Sequence, residues 1–512
     1  IYKFRGANIY NILNFEKVFP DAKVIKLEQN YRSTQNILNA ANSVIANNMG
    51  RKDKALWTDK GAGDKVAFKQ FDNAYDEADY IVHDIGKKVG DGEVHYGDCA
   101  ILYRTNAQSR MFEERFVISG IPYKVVGGVN FYARKEIKDL LCYLKTIDNA
   151  RDDLAVRRII NVPKRGIGAT TLAKVQDYAN EKELSFYNAL KLADDITTLG
   201  RAAARIKPFV TFIQTMRSKV PYLGIAELLE EVLEASGYAE ELKNEGEEEA
   251  RARMENIDEL ISKITAYEEK CEAGNVKPSL SGFLEEVALV ADIDSLEESS
   301  DYVVLMTLHS AKGLEFPNVY LAGMEDGIFP SYMTIVADDP AEIEEERRLC
   351  YVGITRAMEH LTLTSARMRM IRGETQYNKV SRFVREIPPE LLGDTPRKER
   401  VSEYAKPSVS QQARAFFAAK PAVSYGSGAG YGSGAGSAAS GGTAKAAVSF
   451  ASTATEGKSL PYGVGDRVRH LKFGEGTVIG IVPGGRDFEV TVDFDTFGTK
   501  KMFAVFAKLK KL

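Results

Sequence analysis

Four cysteines in 512 residues, Cys99, Cys142, Cys271 and Cys350, lie far apart and form no C-x-x-C pair. Scattered thiols build neither a disulfide frame nor a zinc site, and they suit a reducing cytosol. Histidine is as scarce, five in all, and no H-E-x-x-H pattern occurs, so side chains alone offer no catalytic metal centre. No apolar run is long enough to span a bilayer, and no basic-then-apolar leader is seen at Ile1. A soluble, cytoplasmic protein with no membrane partner is the expectation. Positive charge is not in surplus either. Lys and Arg number 68 against 72 Asp and Glu, leaving a net charge of −4 and a pI of about 6.0. That excludes coating nucleic acid through bulk charge; any such contact has to come from a local groove.

What is present is ample core material. At 44% hydrophobic and 27% charged, the chain is long enough for several domains of ordinary size. The opening, IYKFRGANIYNILNF, leads into KVIKLEQNYRSTQNILNAANSV, read as a short strand at Val24–Leu27 and a helix N-capped by Ser33 or Thr34. Strand and helix signals then alternate through VAFKQF, DEADYIVHDIGKKV, DCAILYRT and AQSRMFEERFVISG, the rhythm of an α/β domain with a parallel sheet. From about Arg134 to Ser300 long amphipathic patterns replace the strands. The strand pattern resumes at Val303, so this stretch reads as a helical domain inserted within the α/β one. Its acidic runs, such as Glu247 to Glu249, are solvated helix faces in the plainest reading. Residues 424 to 442 are Gly-, Ser- and Ala-rich and cannot bury a core, which makes them a flexible linker. Beyond it VGDRVRHLKFGEGTVIGIV alternates as a small β-barrel does.

Chemistry-bearing residues gather in a few patches. Val303 to Met306 reads as a buried strand from which Thr307, His309, Ser310, Lys312 and Glu315 break out. Polar residues at the end of a core strand are where α/β sheets hold ligands. Asn30, Tyr31, Arg32, Ser33 and Thr34 sit at a helix start, where a guanidinium and free backbone N–H groups suit phosphate. Tyr31 beside them is able to stack on a nucleobase. Read alone, that cluster is more often a surface Arg with a core Tyr. In EEERRLCYVGITRAMEHLTL a short turn at Gly353–Thr355 presents Arg356 ahead of an apolar strand, the placement of an arginine finger. An ion pair of Arg356 with Glu344 to Glu346 is an equal alternative. Tyr2, Phe4 and Arg5 alternate aromatic and basic character, as a single-strand stacking platform does. Arg104 and Asn106 follow the strand ending at Tyr103. In VPKRGIGATTL, Gly166 and Gly168 precede a helix and expose N–H groups to a duplex phosphate, or simply connect two helices.

Taken together, these patches resemble the superfamily-one DNA helicases of the UvrD/PcrA type. IYKFRGA is similar to the family's motif three, LEQNYRST to motif four, VVLMTLHSAKGLEF to motif five and EEERRLCYVGITRA to motif six. GVNFYARKEIKDLL and the RGIG turn resemble the boundary of the inserted domain and its duplex-gripping element, and GDRVRHLKFGEGTV the family's Tudor-like tail. Four motifs in the family's order make the likeness specific. It implies an α/β fold: a RecA-like parallel-sheet motor domain, an inserted all-helical domain and a C-terminal Tudor-like β-barrel. The implied divisions are 1–23 as the end of the first motor domain, 24–131 and 301–392 as the second, 132–300 as the insert, 393–460 as linker and 461–512 as barrel.

The resemblance also implies an ATP-dependent 3′ to 5′ helicase of DNA repair or plasmid replication. Tyr31 would stack on adenine, Arg32 and Arg356 would contact the γ-phosphate, and Glu315 would bind the ribose. Tyr2, Phe4, Arg5, Arg104, Asn106, Thr307 and His309 would line the single-strand track, with Gly166 and Gly168 on the duplex. Implied partners are single-stranded and duplex DNA, RNA polymerase through 461–512, and mismatch- or excision-repair proteins. Two departures stand out. The family's P-loop, G-x-x-x-x-G-K-[ST], and its acidic Mg²⁺ pair do not occur in these 512 residues. The expectation is a C-terminal portion that does not hydrolyse ATP by itself, with the Mg²⁺ ligands elsewhere. Arg372 stands before Gly373 where the family has an aromatic residue. The rival class is a non-enzymatic module binding DNA and RNA polymerase, which ATPase activity would separate.

Overall fold

The computed structural model describes residues 1–2, 6–52, 54–293, 300–337, 339–393, 462–470, 474–483, 488–495, 498–503 and 509–511. Phe4 and Arg5 and the 424–442 linker fall outside them. Two units separate, Ile1–Pro407 and Ser408–Leu512.

In the first unit, seven strands form one sheet: β1 (Ala67–Asn73), β2 (Cys99–Tyr103), β3 (Tyr123–Val126), β4 (Val303–Thr307), β5 (Phe316–Leu321), β6 (Ala357–Ile371) and β7 (Glu374–Tyr377). Their order is β1-β6-β5-β2-β4-β3, every neighbouring pair on that path is parallel, and β7 returns antiparallel on the far end of β6. Parallel strands need cover on both faces, and β2 shows why its run CAILY is uninterrupted. Cys99, Ile101 and Tyr103 pack with Ile81, Ile85, Phe112 and Phe116 of the helices Ala74–Gly90 and Ser109–Ser119. Ala100 and Leu102 point the other way, toward Ile37, Val44, Leu349 and Ile354 of the helices Gln35–Ile45 and Pro340–Ile354. Each such side chain, fully buried, contributes roughly 1.5–3 kcal/mol. The strand expected at Val24–Leu27 does not form. Val24, Ile25 and Leu27 are exposed, and no strand pairs with them among the described residues, so period-two apolarity has no sheet to join.

Between β3 and β4 the chain leaves the sheet and builds helices from Lys135–Asp148 to Leu280–Ile293, the longest being Glu247–Ala273. Ile137, Leu140, Leu144, Phe209, Ile213, Leu229, Val232, Ile257 and Leu260 give these helices a core of their own. Glu247 to Glu249 lie exposed in the first turn of the longest helix, where negative charge also suits the helix dipole.

Where this insert meets the sheet, the contact is ionic. Arg110, 2% exposed, reaches Glu114 at 3.0 Å and Glu259 at 2.7 Å; Lys263 lies 3.3 Å from Glu114 and 2.8 Å from Glu286. The Tyr132 hydroxyl donates to Glu114 at 2.7 Å. Burial alone would raise the Glu114 carboxyl; Arg110 and Lys263 outweigh it and hold the group down at about 2. The β6–β7 hairpin also touches the insert. Arg372 and Gly373, at φ 53° and 72°, form its two-residue turn, the type that needs positive φ at both positions. The Gly373 N–H donates to Ser262 Oγ at 3.2 Å, and Arg372 lies 3.9 Å from Asp258 and 4.0 Å from Glu230. An acidic insert face thus answers the Arg that stands in an aromatic's place.

The second unit is a five-stranded antiparallel sheet ordered β11-β10-β9-β8-β12, from β8 (Arg467–His470), β9 (Gly474–Pro483), β10 (Phe488–Phe494), β11 (Gly498–Phe503) and β12 (Lys510–Lys511). Tyr462, Val468, Val478, Val490, Val492 and Phe494 are its core. The fold is α/β, a RecA-like parallel sheet with an all-helical insertion, and further along the chain a small Tudor-like β unit.

Candidate nucleotide and nucleic-acid sites

The helix Pro340–Ile354 runs through Gly353, so the turn expected at Gly353–Thr355 shrinks to Thr355 and Arg356, between that helix and β6. Arg356 is only 8% exposed and is gripped on every side by oxygen. Its Nε donates to the Val352 carbonyl at 3.0 Å, Nη1 to the Leu314 carbonyl at 2.9 Å and Nη2 to Thr355 Oγ1 at 3.2 Å. A cation beyond a helix C-terminus also meets the negative end of the dipole. The alternative pairing with Glu344–Glu346 is not made. Glu344 and Glu345 bind Arg348, and Glu346 binds Arg104.

Arg32 comes to the same place from the other end of the unit. Its Nη1 donates to the Thr355 carbonyl at 3.1 Å and its Nε to the Glu315 carboxylate. Thr355 therefore holds one arginine through its carbonyl and the other through its hydroxyl. Burial, and then the charge of Arg32, pull the Arg356 guanidinium down to about 10, against the opposing effect of Glu315. Of the two guanidiniums only Arg32 pairs with a carboxylate, the half-exposed Glu315, while Arg356 is held by neutral oxygens. Such a cluster has cationic capacity to spare and fits a polyphosphate. Among the described residues no three His, Cys, Asp or Glu side chains gather to hold a metal ion.

The N–H groups expected to lie free beside Arg32 are taken. Helix Gln35–Ile45 begins at Thr34, whose side chain makes no capping bond. Instead the Gln35 N–H donates to the Gly61 carbonyl and the Asn36 N–H to the Ala62 carbonyl, both at 2.9 Å. Backbone carbonyls thus replace the N-cap hydroxyl and occupy the N–H groups that a phosphate would need. Gly63 is required for this: at φ +67° its Cβ would stand 2.3 Å from Thr34 Cβ. Tyr31 is 77% exposed, with its hydroxyl on Gln29 Oε1 at 2.9 Å. The ring presents an open face.

The residues assigned to a strand track are divided. At the C-terminal ends of β2, β3 and β4, Leu308 N–H bonds the Tyr103 carbonyl at 2.8 Å and Thr307 Oγ1 pairs with Ser310 Oγ at 3.1 Å. Gly127 packs on Ser310, and Asn106 lies exposed on the neighbouring loop. The Tyr2 hydroxyl donates to the His309 carbonyl at 3.1 Å, and the Lys312 ammonium lies 4.8 Å from the Tyr2 ring centre. Tyr2, Thr307 and His309 are thus brought together. Arg104 is spoken for: Nε and Nη2 clasp Glu346 at 2.7–3.0 Å, and that carboxylate, outweighing the cost of burial, raises the guanidinium further. In the insert, Gly166 and Gly168 are exposed while Ile167 between them is buried. Arg165 anchors the turn from behind, on the carbonyls of Ile159, Ile160 and Pro163 and on the Tyr143 hydroxyl. Arg205 Nη1 donates to the Gly166 carbonyl at 2.8 Å.

A parallel sheet with an arginine-rich cluster at one end and a helical insertion defines a class. Residues 25–368 match the family of the UvrD-like helicase C-terminal domain, well over half of the chain, and the chain belongs to that family. Residues 464–511 match the PcrA/UvrD tudor domain. Over its full length the chain is 43% identical to proteins named ATP-dependent DNA helicase PcrA from Bacillus subtilis, Staphylococcus epidermidis and Staphylococcus aureus; 100% of this chain and 65% of each relative align. The chain thus spans a little under two thirds of the length of these curated relatives.

Proposed function

We propose that this chain is the nucleotide-sensing and DNA-tracking part of an ATP-dependent 3′ to 5′ DNA helicase. The convergence of Arg32 and Arg356 on Thr355, with a single carboxylate, Glu315, on Arg32, supports this most strongly. In this reading Tyr31 stacks on adenine, Arg32 and Arg356 bind the terminal phosphate, and Glu315 turns to the ribose hydroxyls. Arginines on one domain that read a phosphate held by another change the domains' relative position when that phosphate leaves. Tyr2, Phe4, Arg5, Asn106, Thr307 and His309 guide single-stranded DNA, and Arg104 joins them once released from Glu346. The Gly166–Gly168 turn holds the duplex through backbone N–H groups. Mg²⁺ belongs with a P-loop domain, which this chain needs in order to turn over ATP. The domain divisions given above, work in repair or plasmid replication in the cytoplasm, and docking of RNA polymerase on 461–512 or of repair proteins are further parts of the proposal.

The test is ATP turnover, with and without single-stranded DNA, by the 512-residue chain alone and when joined to a P-loop domain of a Bacillus subtilis-type relative. DNA-stimulated turnover only in the joined protein supports the reading. Turnover by the chain alone, or none in either, overturns it.

A further inference from the structure

Segment 56–63, LWTDKGAG, whose last three residues cap the helix after Arg32, is hydrogen-bonded along its length to residues between Glu28 and Asn42. The Trp57 N–H donates to the Glu28 carbonyl at 3.1 Å and the Asn30 N–H to the Trp57 carbonyl at 2.7 Å. Asn42 exchanges two bonds with Leu56, and the Thr58 N–H donates to Gln35 Oε1 at 3.1 Å. Two chains of contacts then diverge. Along one, Asp59 Oδ2 accepts from Gln29 Nε2 at 2.7 Å, and Gln29 Oε1 accepts from the Tyr31 hydroxyl at 2.9 Å. Because Asp59 fixes which end of the Gln29 amide faces Tyr31, it sets the hydrogen bond that aims the ring. Along the other, Lys60 Nζ donates to the carbonyl of Arg32 at 2.8 Å, while Gly61 and Ala62 cap the helix that follows it.

Resting on the nucleotide reading above, we propose that segment 56–63 is a positioning brace in which Asp59 orients Tyr31 for the base and Lys60, with Gly63, orients Arg32 for the terminal phosphate. The two functions separate because the relays share no side chain. Disturbing the Tyr31 relay weakens ground-state stacking on the base, whereas disturbing the Arg32 anchor removes an interaction made as phosphate charge develops.

The experiment uses the protein joined to its P-loop domain and measures DNA-stimulated turnover. Asp59→Ala is expected to raise KM for ATP about fivefold with kcat within about twofold, and Asp59→Asn to recover it only in part, since its amide offers Gln29 either a donor or an acceptor. Lys60→Met is expected to lower kcat about tenfold at nearly constant KM, with Lys60→Arg recovering most of it. Gly63→Ala should act in the same direction but risks the local fold, so Lys60 carries the decision. Trp57 is the chain's only tryptophan, and in the 512-residue chain its emission reports the brace without any activity. Unchanged emission in Asp59→Ala and Lys60→Met, with the kinetic split, establishes positioning. Both variants moving KM and kcat together, or neither moving either, overturns the brace. If Tyr31→Ala and Arg32→Ala leave turnover untouched, the nucleotide reading falls and the brace with it.

Discussion

Two arginine–carboxylate clusters in this molecule look alike in composition and differ in balance. At the insert junction, Arg110 and Lys263 face Glu114, Glu259 and Glu286, and Arg110 and Glu114 are almost wholly buried. Each charge has its partner: with Lys270 3.3 Å from Glu286, three cations meet three carboxylates. At the Arg32–Arg356 cluster, the half-exposed Glu315 pairs with Arg32 alone, and Arg356 leans on carbonyls instead of a carboxylate. A buried charge left unmatched is costly; a protein keeps one where a ligand completes the set. The balanced cluster holds two parts of the unit together, and under the proposed function the unbalanced one receives an anion.

That contrast breaks or sharpens in four ways. The largest effect is expected for Arg356→Ala in the protein joined to a P-loop domain. DNA-stimulated turnover should fall about a thousandfold or more, as for arginine fingers, and Arg356→Lys should recover little, since an ammonium cannot fork. A loss under tenfold in steady-state assays would move the reactive cluster elsewhere. Next, Glu114→Ala leaves Arg110 with Glu259 alone and Lys263 with Glu286 alone, and should destabilise the chain by about 1.5–3 kcal/mol in urea unfolding. An unchanged midpoint would show that water reaches the site. Third comes acid. With the folded Glu114 at about 2 against an ordinary 4.5, its contribution is complete above about pH 4.5 and is lost as pH falls toward 2. That is worth a few kcal/mol. Unfolding at stepped pH should show a shallower acid slope in Glu114→Gln; equal slopes would assign the loss to other carboxylates. Smallest is Glu315→Gln, where a half-exposed pair should change stability by less than about 1 kcal/mol. A shift as large as that of Glu114 would erase the distinction between the clusters.

The sheet was legible because its strands are runs that nothing but two-sided burial explains; Val303–Met306 and Val319–Leu321 lie inside β4 and β5. Val24–Leu27 carried the same apolar signal without a neighbour to pair with, and pairing is not written in a segment's own composition. Arg32, Glu315 and Arg356 were visible as residue types in suggestive places, but the meeting of the two arginines on Thr355, and of Arg32 with Glu315, depends on packing across the unit. The carbonyl cap from Gly61 and Ala62 was hidden because backbone donors and acceptors look the same in every sequence. Only the paired glycines of KGAGDK hinted at a tight approach. The partner of Arg104 could not be read either, since Glu346 lies on a helix far along the chain.

β3 and β4 are hydrogen-bonded neighbours, register Tyr123 with Val303, yet the whole helical insert is threaded between them. Closing so long an excursion by random search is slow, although its entropy grows only with the logarithm of its length. The insert has its own core and can collapse first, carrying its two ends toward each other and shortening the loop the sheet must close. Order of assembly is therefore built into the topology. Pulsed hydrogen exchange should protect the helices around Leu140 and Leu229 before the amides of β4, and the reverse order would show that the sheet nucleates alone.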